Sequence, residues 1–113
     1  MEEPICQHYR RAAEIVGRRW VPEIVRVLLD GCARYGQLRS AIPGISDHLL
    51  SDRLKSLEAD GLVVRKVVPS APVRVEYSLA EKGADLASAI GALAAWAERW
   101  AEADAPVPTS AEG

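Results

Sequence analysis

Residues 46–68, SDHLLSDRLKSLEADGLVVRKVV, restrict the fold more than any other stretch of the chain. Leu50, Leu54 and Leu57 recur at helical spacing, so one face of 46–60 is an apolar row that needs a partner. Ser46 suits the N-cap of that helix, and Asp47 stands at the positive end of its dipole. Gly61 closes the helix, and the pattern changes at once to a β-branched run over 62–68. A second run, 73–79, alternates cleanly. Val75, Tyr77 and Leu79 share one face, and Arg74, Glu76 and Ser78 share the other. The PSAP tip between the runs is too long for a two-residue turn and is stiffened by Pro69 and Pro72.

The rest of the chain frames this helix and hairpin. A first helix is predicted over 7–18, with Tyr9, Ala12, Ala13 and Val16 at helical spacing and Gly17 ending or bending it. A second begins near Trp20, with Pro22 in its first turn, where a missing N–H costs little. Its buried stripe is Ile24, Val25, Leu28 and Leu29, and Gly31 terminates it. A short helix follows at 35–42, with Leu38, Ala41 and Ile42 inward, before Pro43-Gly44 forces a turn. A long helix occupies 81–103, and 104–113 reads as a disordered tail.

The expected fold is mainly α with a small β-hairpin, in one domain over 5–103. Short helix, tight turn, longer helix and two-stranded hairpin is the winged helix-turn-helix layout. The helix-turn-helix falls at 35–60, the wing at 62–79 and a C-terminal dimerisation helix at 81–103. In that layout the second helix of the pair enters the DNA major groove, and the hairpin reaches the backbone or minor groove.

Composition bounds the function. The net charge of −2 hides an asymmetry: residues 1–79 carry 12 Lys/Arg against 10 Asp/Glu, and residues 80–113 carry 2 against 6. A polyanionic partner must therefore use a local basic patch in the first two thirds. No apolar run reaches the length of a membrane span, and MEEPIC lacks the pattern of a signal peptide. The chain is accordingly expected in the cytoplasm, with both cysteines reduced. No catalytic constellation or Gly-rich phosphate loop is present, so an enzyme is not expected. Cysteines and histidines at 6, 8, 32 and 48 match no zinc-finger spacing, so neither metal nor cofactor is expected.

The outer face of 46–60 supplies the candidate reading residues. His48, Ser51, Asp52 and Lys55 are short or flexible groups that donate and accept at close range, as base edges require. Ser46 at the helix start joins this set. The bland alternative is a solvated surface whose charges pair along the helix. Arg53 fits either a phosphate contact or a tether to a neighbouring carboxylate. Arg34, Gln37 and Arg39, on or before the preceding helix, suit phosphate contacts, and so do Lys66 and Arg74 in the wing.

Several stretches together resemble the HxlR-type family of bacterial transcriptional regulators: VGRRW at 16–20, LLDGCARYGQLRSAIPGIS at 28–46, LLSDRLKSLEADGLV at 49–63 and VRVEYSLAEKG at 73–83. A lone cysteine before the first helix, here Cys6, is another family habit. The resemblance implies a homodimeric regulator, repressor or activator, whose first and last helices build the dimer. Some members sense electrophiles or oxidants through that cysteine. Three departures stand out. Family members usually carry a second Gly and a Lys before the Trp, where this chain has Arg18 and Arg19. They often have Gln or Thr near Asp52. Cys32 replaces what is usually Gly, Pro or another small residue.

Three further expectations concern control and assembly. Cys6 lies close to His8, Arg10 and Arg11, cationic neighbours of the kind that activate a thiol toward oxidants. Leu86, Ile90, Leu93, Ala97 and Trp100 repeat at heptad spacing, a seam for a partner's terminal helices, with Tyr9 and Ala13 on the matching first helix. Trp96 and Trp100 share a face that suits dimer packing or a flat small-molecule effector. The partners thus expected are double-stranded DNA with a palindromic operator, a second copy of the chain and a small effector. The competing class is a winged-helix protein-interaction module without DNA binding, which the acidic balance and Asp52 favour slightly.

Overall fold

A computed structural model describes residues 6–103; the tail expected at 104–113 and the domain's expected first residue, Ile5, lie outside the described residues. The elements run α1 (Gln7–Val16), α2 (Val21–Leu29), β1 (Ala33–Arg34), α3 (Tyr35–Ala41), α4 (Asp47–Ala59), β2 (Val63–Val68), β3 (Arg74–Leu79) and α5 (Glu81–Ala101). The long helix therefore stops two residues short of the expected 103. The order confirms a winged helix-turn-helix flanked by terminal helices.

The core sits where α2, α3, α4 and the root of the wing converge. Ile24 and Val25 of α2 and Leu38 of α3 are fully enclosed, as are Leu50 and Leu57 of α4. Each leucine so buried stabilises the fold by about 2 kcal/mol, against about 0–1 for an exposed ion pair. The leucine row thus fastens α4 to the domain. Leu62 and Val63 continue the core into the hairpin.

Several local expectations differ from the structure. α2 starts at Val21 because Trp20 takes a left-handed conformation, φ 76°, and caps the helix without a side-chain hydrogen bond. Val21 is buried in place of Leu29, which is exposed. On α1 the buried residue is Ile15, while Tyr9, Ala12 and Ala13 face solvent. Ala41 is also exposed, leaving Leu38 and Ile42 as the inward residues near α3. The wing has three strands, in the order β1-β3-β2 and all antiparallel. The added strand pairs Ala33 with Tyr77 and Arg34 with Glu76. It pairs along the outer edge of β3, and the two faces of β3 differ little in burial: Val75 and Tyr77 are half-buried, and so are Glu76 and Ser78.

The wing and α5 meet at close quarters. A Cβ on Gly83 would lie 2.1 Å from the Leu62 carbonyl oxygen, so only glycine permits this approach. The same oxygen accepts from the Ala80 N–H at 2.9 Å.

Candidate nucleic-acid interface

The N-terminus of α4 is built by its neighbour α3. Ser46 Oγ accepts from the Leu49 N–H at 3.1 Å. Tyr35, the first residue of α3, donates its hydroxyl to the Asp47 carbonyl oxygen at 3.0 Å and stands 3.1 Å from Asp47 Oδ1. Arg39 pairs with the same carboxylate oxygen at 2.9 Å. Ser51 Oγ donates to the Tyr35 hydroxyl at 3.5 Å. Tyr35 was not among the residues singled out from the sequence. An aromatic residue at the start of a short helix carries no periodic signal, and its role depends on a carboxylate 12 positions away.

These bonds sort the candidate residues. Ser46 spends its hydroxyl on the helix cap. Gln37 Oε1 accepts from the Arg34 N–H at 2.8 Å and so caps α3. Arg53 is a tether: its Nε donates to the Arg19 carbonyl oxygen at 2.8 Å, its Nη1 pairs with Asp52 Oδ2 at 2.7 Å, and its side chain is only 17% exposed. The alternative in which Arg53 reaches for phosphate does not fit that burial. Asp52, expected to face a base edge, is exposed and its charge is partly offset by Arg53. His48 and Lys55 are exposed and have no hydrogen-bond or ion-pair partner among the described residues. They stand seven residues apart, about 10 Å along the axis, or roughly three base-pair steps.

The wing extends this face. Arg34, Lys66 and Arg74 are all exposed, and strand register aligns Lys66 and Arg34 on either side of Glu76. Arg74 Nε lies 3.5 Å from Glu76 Oε2, so its charge is partly offset. Cys32, at the edge of β1, lies 3.9 Å from Glu76 Oε1 and is exposed.

Cys6 is the N-cap of α1, and its sulfur accepts from the His8 N–H at 3.3 Å. The thiol is exposed. The dimer candidates divide. Ile90 is buried in the chain's own core and Leu86 packs against it, whereas Leu93, Ala97 and Trp100 lie open, as do Tyr9 and Ala13. Ile90 is therefore spoken for within the chain. An apolar groove of about 500 Å³ runs between α2, the α3–α4 turn and α5, with Trp20, Val27, Pro43 and Leu93 among its walls. Trp96 and Trp100, expected to serve dimer packing or a flat effector, are not part of it. Among the described residues no group of three or more His, Cys, Asp or Glu could hold a metal ion. No helix among them is long and apolar enough to cross a membrane.

An exposed helix held at its root by the preceding helix, beside a three-stranded wing, defines a DNA-binding winged helix-turn-helix protein. The model of the HxlR-like helix-turn-helix family matches residues 15–105, and the chain belongs to that family of transcription regulators. It is 42% identical over 99 residues to the HTH-type transcriptional regulator YvaP of Bacillus subtilis, covering 88% of this chain and 92% of that one. It is 38% identical over 102 residues to YodB of the same organism, covering 90% and 91%. The reduced form of YodB superposes with a TM-score of 0.78 at 39% identity, over 87% of this chain and 96% of that one. The redox regulator HypR, in its oxidised form, gives 0.77 at 32% identity, over 81% and 95%.

Proposed function

We propose that the protein is a homodimeric, cytoplasmic repressor or activator that reads a roughly palindromic operator in double-stranded DNA through α4. One observation carries this reading. On a helix whose other polar side chains are largely tied to the scaffold, His48 and Lys55 are exposed without partners. Ser51 and Asp52, between them on the same face, complete the set offered to base edges. Arg34, Gln37, Arg39, Lys66 and Arg74 flank it as phosphate contacts that orient the module. The exposed faces of α1 and distal α5 supply the dimer contact. A two-fold pair would place its α4 helices about one DNA turn, or a multiple, apart.

The proposed signal is an oxidant or electrophile that reacts at Cys6. The thiol caps α1, so modification removes a hydrogen bond from a terminal helix assigned to the dimer. Likeness to YodB, known in a diamide-treated form, and to the redox regulator HypR supports this assignment.

Selection from a random duplex pool, followed by titration, tests the DNA reading. Lys55→Ala should change the preferred bases. Arg74→Ala should weaken every sequence alike and reduce the salt slope by about one unit. A wild type that enriches no sequence, or two variants that bind like it, would refute the groove assignment.

A further inference from the structure

We propose that Arg18 is a positioning residue for the recognition helix: its guanidinium clamps α4 at Ser56 and Asp60 and sets the angle at which His48 and Lys55 meet DNA. The inference rests on the DNA-reading role of α4 and identifies the group that aims it.

Arg18 lies in the turn between α1 and α2. Its Nη1 donates to Ser56 Oγ and lies 3.9 Å from Asp60 Oδ2. Ser56 and Asp60 are one helical turn apart, so a single planar cation spans both. The same turn offers the Arg19 carbonyl oxygen to Arg53 Nε. Arg53, Ser56 and Asp60 form one stripe of α4, and all three engage two consecutive residues. Tyr35 and Arg39 hold the other end of α4, but they belong to α3. Their bonds unite the helix-turn-helix internally. Arg18 and Arg53 join that unit to the turn leading out of α1.

The anchor is stiff. Trp20 keeps a left-handed backbone, which costs a side-chain-bearing residue about 1–2 kcal/mol and persists only where surroundings enforce it. Arg19 lies over the Trp20 ring, 4.7 Å from its centroid. A Cβ on Gly44 would meet that ring at 3.7 Å, so Trp20 is wedged against the α3–α4 turn.

Asp60 is out of place as part of α4 alone. It is the C-cap, where the negative end of the helix dipole disfavours a carboxylate. Cations from three segments reverse that sign: Arg18, Arg11 of α1 at 3.3 Å, and Lys82 of α5, which donates to the Asp60 carbonyl oxygen at 2.7 Å. Arg11 is largely exposed, so solvent screens its pairing, whereas Arg18 and Asp60 are mostly covered. Such an arrangement is explained by a joint between helices.

Leverage makes the joint matter. His48 lies 12 residues from Asp60, about 18 Å along the axis. A tilt of about 10° at the clamp moves His48 by about 3 Å, close to one base-pair step. Position 18 is also where the HxlR-type resemblance leads one to expect glycine, which has no side chain to form this clamp.

The test uses the full chain, the duplex that wild type selects from a random pool, and an unselected duplex of equal length. Arg18→Gln should weaken binding to the selected duplex about tenfold while leaving the unselected one within about twofold, since geometry governs base contacts more than phosphate contacts. Arg18→Lys, which reaches one partner but not both, should recover part of the loss. Adding Asp60→Asn to Arg18→Gln should cause no further loss. Melting curves ensure that every titration is made on folded protein. Arg18→Gln that binds both duplexes like wild type, or loses both in equal proportion, would overturn the proposal. A wild type that selects no duplex would instead overturn the DNA reading.

Discussion

The two halves of α5 continue one heptad seam and do opposite things. In the first half Gly83, Ala87 and Ile90 are buried, and Ile90 retains only 4% of its exposure. In the second half Leu93, Trp96 and Trp100 keep 52%, 54% and 47%. No residue from 92 to 103 is buried. The difference lies in what stands opposite. The first half packs closely, with Gly83 against Leu62 and Ile90 in the core, while Leu93, Ala94 and Ala97 only wall an open groove and Trp96 and Trp100 lie outside it. A heptad pattern reports that one face of a helix is apolar. Whether that face meets its own chain or another depends on where the rest of the fold stops.

The largest effect that distinguishes the halves should be on stability. Ile90→Ala should cost about 2–5 kcal/mol, whereas Leu93→Ala should change the stability of the isolated chain by no more than about 0.5 kcal/mol. Urea titrations at concentrations where sedimentation shows monomer make the comparison. Equal losses would mean that the distal half also belongs to the core.

Assembly should show the reverse. Leu93→Glu with Trp100→Glu should yield a folded monomer by sedimentation, and binding to the selected duplex should fall by about a hundredfold or more, because one module lacks half the contacts. Ile90 has no place in that variant, since a glutamate there would unfold the chain and leave the oligomer question unasked. A folded dimer from the double variant would move the interface away from α5.

A smaller effect should come from the helix assigned to meet the distal half. Cys6→Ser keeps an oxygen acceptor at the N-cap of α1, so the reduced variant should bind DNA within about twofold of wild type. Diamide should shift DNA affinity in wild type and not in Cys6→Ser, leaving the melting temperature of the core unchanged. Wild-type affinity that ignores diamide would end the thiol assignment and leave the distal helix to a non-covalent signal.

The legible parts of this protein share a property: they depend on neighbours in sequence. The cap at Ser46, the leucine row behind it, the stop at Gly61 and the turn into the wing all arise within about a dozen residues. Those residues sufficed to expect the winged architecture and to place α4 as its exposed helix. The strand at Ala33–Arg34 was not legible, because two residues carry no period and become a strand only when the edge of β3 lies beside them. Arg53 was open between two roles, and the choice fell to a carbonyl 34 positions away. Ser46 and Asp52 stood in one set with His48 and Lys55, and only the tertiary bonds separated exposed groups from engaged ones. Tyr35 carried no signal, and Arg18 stood out only as a departure from the family pattern, since their partners on α4 are distant in sequence.

By itself, then, the sequence determined where the helices and the two long strands form and where their main apolar rows lie, because backbone preference and hydrophobic period act over one or two turns. Tertiary structure alone decided which polar side chains are spent on holding α4, which half of α5 is covered and which charges stay exposed. Those outcomes depend on distances between segments, and a carboxylate or carbonyl commits an arginine only when folding brings it within reach of a hydrogen bond.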